Sequence, residues 1–124
     1  MRSDAWVHKR QRGENPLSHR RRVWRHRRQR AERGFSDYDV WNLDGYLAQT
    51  IADTVKRLRE TDHGYPADVG SMVAWHDILT RIETPLRMWA ECHHDMDSEE
   101  EERWMRRCLE SLELLKTHFF GLWD

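Results

Sequence analysis

Eight arginines crowd between Arg20 and Arg33, with His19, His26 and Trp24 among them. A guanidinium binds phosphate through paired hydrogen bonds and stacks on bases, and an indole can stack on an unpaired base. Arg20, Arg21, Arg22, Trp24, Arg25, Arg27, Arg28 and Arg30 are therefore the expected contact residues for nucleic acid. Binding of that kind weakens steeply with salt, because counterions are released. The same residues also suit an acidic protein surface, or neutralisation of the chain's own acids, such as Glu99 to Glu102.

A second group could form a small-ligand pocket. Asp37, Asp39 and Asp44 cluster close to Tyr38 and Trp41. Carboxylates so placed can act as an acid/base pair or hold Mg²⁺. The plainer reading is that acids at a helix start stabilise its dipole, with Asp39 serving as a cap. Asp44 sits between Leu43 and Leu47, where a carboxylate that edges into the core needs a hydrogen-bond or Arg partner. The candidate pocket residues are Asp37, Trp41, Asp44, His63 and Tyr65. Cys92, His93, His94 and Asp95 are competent zinc ligands, but adjacent histidines on a helix point about 100° apart. HExxH, paired CxxC and EF-hand spacings are missing, as are a GxSxG element and a Gly-rich phosphate loop. No metal site, cofactor or catalytic residue is expected.

These residues sit in a chain divided by charge. Residues 1–34 carry twelve Lys/Arg against three acids, a net +9, whereas residues 35–124 carry nine against nineteen, a net −10. Such asymmetry suggests two parts with different partners, or two parts that partner each other. The 124 residues suffice for one substantial domain. With 35% charged residues and a mean hydropathy of −0.99, the core is modest. Seven Trp supply much of its apolar material and argue against a wholly disordered chain. Apolar runs fall short of the roughly 18 residues needed to cross a bilayer, so no membrane contact is expected. The opening residues lack a secretory h-region, and two cysteines make no disulfide framework. A cytoplasmic protein is the expectation.

Helical periodicity must position the candidates, and strand-like alternation is missing. Residues 1–14 show no period and are expected to form a flexible basic tail. Asn15-Pro16 then caps an arginine-rich helix over 15–34, with Gly34 as its stop and Leu17, Trp24 and Ala31 on one thin stripe. The acidic helical part spans 35–124. Ser36 starts a helix, with Asp39 completing a capping-box-like arrangement, and Leu43, Leu47, Ile51, Val55 and Leu58 form its expected buried face. The loop ETDHGYPADVG follows. Met72, Trp75, Leu79, Ile82, Leu86 and Trp89 line the next helix, where Pro85 should introduce a kink. A last helix begins near Ser98, with Trp104, Cys108, Leu112, Leu115, Phe119 and Leu122 as its apolar face. The expected fold is all-α: a small antiparallel bundle of three core helices preceded by a basic helix.

Read together, FSDYDVWNLD, HGYP, AWHDILTRI and THFFGLWD resemble small uncharacterised proteins encoded by bacteriophages and recurring in viral metagenomes. The resemblance covers roughly residues 35–124 and departs from the pattern at Pro85. It implies a viral origin and a helical fold, and assigns no activity to any residue. The combined expectation is a non-enzymatic phage accessory protein in the host cytoplasm, binding a host or viral macromolecule. Two alternatives are a virion protein touching packaged genome, and a nucleotide-type ligand binder or enzyme using the Asp44 pocket.

Overall fold

A computed structural model describes residues 5–123, all-α and without strands among those residues. Six helices follow in order: α1 (Ala5–His8), α2 (Pro16–Arg33), α3 (Asp37–Trp41), α4 (Leu43–Thr61), α5 (Met72–Cys92) and α6 (Ser98–His118). Short 3₁₀ turns at His93–Asp95 and Phe119–Gly121 follow the last two. The expected helical class holds.

The starts and stops are local chemistry. Asn15 accepts the Ser18 N–H at 2.8 Å, Pro16 opens α2, and Gly34 closes it at φ 86°, a left-handed conformation open to glycine at little cost. Ser36 and Asp39 form a complete capping box, with Asp39 N–H donating to Ser36 Oγ and Ser36 N–H to the Asp39 carboxylate. Ser71 caps α5, and Asp97 caps α6, which starts at Ser98 as expected, through the Glu100 N–H.

Two stretches ahead of the α4 core depart from the sequence reading. Residues 1–14 were expected to form a flexible basic tail. Residues 1–4 lie outside the described residues, but 5–8 form a helical turn with Val7 buried. The reason is tertiary: Arg22 donates to the carbonyls of Val7 and Lys9, at 2.6 and 3.0 Å. The helix begun at Ser36 is also broken. Asn42 leaves helical geometry at φ −116°, ψ 50°, and its side chain folds over Gly45, where a Cβ would meet the Asn42 amide at 2.7 Å.

α5 is the central helix and packs on both α4 and α6. Trp75, Leu79, Ile82 and Leu86 are buried as expected. The face of α4 is rotated from the expected one. Ala48, Ala52 and Val55 are buried, whereas Leu43 and Leu47 are exposed and Ile51 is half-buried. Small side chains at 48 and 52 let α4 lie close to α5, and that approach turns the longer leucines outward. α6 is lightly sunk, with Ser111 its one buried residue and Leu112 and Phe119 exposed.

α5 runs unbroken through Pro85. Nearby carbonyls take donors from α6: Ser111 Oγ donates to Ile82 O at 2.6 Å, and Cys108 Sγ to Pro85 O at 3.3 Å. Beside the apolar core lies an ionic seam unforeseen from sequence. Glu83, nearly buried, pairs with Arg59 of α4 and with Arg87, and Arg87 reaches Asp53 of α4 at 2.8 Å.

Candidate nucleic-acid interface

The arginines of α2 divide into two sets. Arg22 and Arg30 point inward and hold structure. Arg22 joins Glu14 at 3.0 Å as well as the Val7 and Lys9 carbonyls, and its hydrogen bonds hold the Glu14 carboxyl down to about 2. Arg30 grips Asp39. Burial works against that carboxylate's charge, but the Arg30 hydrogen bonds and the Ser36 N–H outweigh it and keep its pKa below the usual value. Arg33 pairs with Asp37 at 2.7 Å, and Gln29 both donates to Asp37 and accepts its N–H. These contacts bridge the charge boundary near residue 34.

With one side so anchored, α2 turns its opposite side outward. Leu17 and Trp24 are 58% and 60% exposed, and Ala31 is exposed in line with them. At 3.6 residues per turn, Arg20 and Arg27 flank this line on one edge and Arg21 and Arg28 on the other. All four are exposed. Arg28 pairs with Glu32 at 2.8 Å and lies over the Trp24 ring at 5.2 Å. Arg20, Arg21 and Arg27 make no ion pair among the described residues. Such a face offers guanidinium donors on both sides of a stacking surface.

Arg25 occupies the shoulder of this face. With Asp37, Tyr38 and Trp41 it lines an open cavity of about 640 Å³. Trp41 is 81% exposed. A second indole thus stands within the same basic region.

The five residues considered for a ligand pocket are not brought together as one. Asp37 and Trp41 line the cavity beside Arg25. Asp44 is exposed at the end of a groove between α4, α5 and α6 rather than in the core, and it accepts the Trp89 Nε1–H at 3.0 Å. Tyr65 lines a separate cavity of about 420 Å³ with Pro66, Thr117, Phe120 and Trp123. His63 is exposed in the loop after α4.

Buried Ser36, His26 and Asp39 have the residue types of a nucleophilic triad, but they form a cap. Ser36 Oγ lies 2.6 Å from His26 Nδ1 and accepts the Asp39 N–H, and it is fully enclosed. A substrate has no route to that oxygen. Among the described residues, no group of three or more His, Cys, Asp or Glu side chains is placed to hold a metal ion. No helix among them is long and apolar enough to cross a membrane. Compared with known proteins, the chain matches no family, no curated relative and no solved structure.

The sequence pattern pointed to the arginine helix but not to which arginines face out. Heptad spacing of Leu17, Trp24 and Ala31 was the one available signal. The pairing of Arg22 with Glu14 and of Arg30 with buried Asp39 had none.

Proposed function

We propose that this chain is a non-enzymatic accessory protein that binds nucleic acid through the outward face of α2. Its resemblance to phage-encoded proteins makes host or viral RNA or DNA the expected partner. The observation that supports this reading most is the Leu17–Trp24–Ala31 line edged by Arg20, Arg21, Arg27 and Arg28, all exposed. Phosphates meet the guanidinium edges, and an unpaired base stacks on Trp24. Arg25 and Trp41 extend the contact, so single-stranded or looped nucleic acid is the favoured form. Arginines that touch bases only through stacking give little sequence preference.

The test is a fluorescence-anisotropy titration of the full chain against single- and double-stranded oligonucleotides over a salt series. Four neutralised phosphates predict a log–log salt slope of about −3 to −4. Trp24→Ala should weaken single-strand binding while the far-ultraviolet circular dichroism stays unchanged. Absence of binding at low salt would overturn the reading and direct the same face to an acidic protein surface.

A further inference from the structure

A groove of about 390 Å³ runs along α5 between α4 and α6. Its walls are apolar: Leu47 and Ile51 from α4, Leu86 and Trp89 from α5, and Cys108 and Leu112 from α6. Met105 and Leu109 stand on its rim, 48% and 62% exposed, and Leu112 is 41% exposed. Leu47 is exposed opposite them. A stripe of large apolar side chains beside an apolar groove is an unfinished helix-packing surface, lacking the fourth helix that would cover α5. The long side chains that α6 fails to bury are those a facing helix would use as knobs.

We propose that the missing helix is α6 of a second copy, packed antiparallel about a two-fold axis near Leu109. Each copy then inserts Met105, Leu109 and Leu112 into the groove of the other. An isologous contact requires one patch to supply both knobs and holes, and this patch does. Charge complementarity selects the occupant and its direction. With Leu109 set against its own symmetry mate, Glu102 faces Lys116 of the partner subunit, and Arg106 falls within one residue of Glu113 of the partner subunit. All four side chains are exposed; Glu102, Arg106 and Glu113 flank the apolar stripe on its outer side, and Lys116 continues its line. Each pair forms twice in the dimer. A parallel arrangement in register would instead carry these flanks to opposite sides of the interface, leaving Glu102 and Lys116, and Arg106 and Glu113, apart. Antiparallel packing also brings the acidic start of α6, Glu99 to Glu102, beside the basic Lys116 and His118 in the last turn of its mate.

Nothing in this interface uses α2, so dimerisation and nucleic-acid binding succeed or fail separately. Two copies would present two arginine faces to one strand, raising avidity without a new contact.

Sedimentation velocity of the full chain over a concentration series tests the assembly. A monomer–dimer equilibrium is expected, with Leu109→Glu shifting it to monomer while helicity by circular dichroism is retained. A charge-reversal pair then tests direction. Arg106→Glu should weaken the dimer, and Arg106→Glu combined with Glu113→Arg should restore it. In a chain with Cys92→Ser and Cys108→Ser, Leu109→Cys should form an intermolecular disulfide on mild oxidation. A wild-type chain that stays monomeric throughout the series would overturn the proposal. So would a dimer unaffected by Leu109→Glu, which would place the contact elsewhere. Failure of the double reversal to restore a dimer that Arg106→Glu weakens would overturn the antiparallel register.

Discussion

Arg30 holds the buried carboxylate of Asp39 with two hydrogen bonds, Nε to Oδ2 at 2.8 Å and Nη2 to Oδ1 at 2.6 Å. One oxygen of that carboxylate also accepts the Ser36 N–H, so a single side chain caps α3 and docks α2. An arginine that resembles its neighbours in sequence is thereby removed from the outer face. Asp39→Ala should cost about 3 kcal/mol, because it deprives a partly buried guanidinium of its carboxylate and removes a cap. Chemical denaturation of the full chain would measure the loss. A change below about 0.5 kcal/mol, the range of surface sites, would show that the pair contributes little.

The two sets of arginines should separate experimentally. Arg20, Arg21, Arg27 and Arg28, replaced singly by alanine, should each weaken binding and lower the salt slope by about 1 with stability unchanged. Arg22→Ala and Arg30→Ala should lower the melting temperature instead. If all six variants behaved alike, the division between outward and inward side chains would be wrong.

Acid should loosen the α1–α2–α3 corner. Glu14 falls from 4.5 to about 2 through its Arg22 and Gln11 hydrogen bonds, and Asp39 is also held low. A carboxyl whose folded pKa lies below its unfolded value stabilises the fold above the unfolded value. That contribution fades as pH falls towards the folded value. Amide protection over residues 16–41 should therefore decline between about pH 4.5 and 2, as hydrogen exchange would show. Glu14→Gln should remove part of this pH dependence, and an unchanged profile would assign it to other carboxyls.

Core substitutions check the rotated face of α4. Leu79 is fully buried on α5, so Leu79→Ala should cost about 2–5 kcal/mol. Ala52 is equally buried where α4 meets α5, and Ala52→Leu should cost about 1–3 kcal/mol by overpacking. Ile51→Ala should cost less than Leu79→Ala, because Ile51 is half-buried beside the open groove. Equal losses at 51 and 79 would restore the face inferred from the leucine spacing.

Caps and periodicity were legible residue by residue. Asn15-Pro16, Gly34, Ser36 with Asp39, and the 72–89 pattern each act within a few positions of chain, so local sequence determined helical class and most boundaries. The cationic helix was equally plain, because charge is additive and needs no fold to count. Tertiary structure alone decided which way those helices face. Leu43 and Leu47 are outward because Ala48 and Ala52 permit a closer approach to α5 than Leu47 would. Arg22 and Arg30 turn inward because Val7, Glu14 and Asp39 meet them there. Asp37, Asp44 and Tyr65 part company because the break at Asn42 and the packing of α4 on α5 carry them to different surfaces. Burial is a property of pairs of elements, and no single helix's spacing contains its partner's shape.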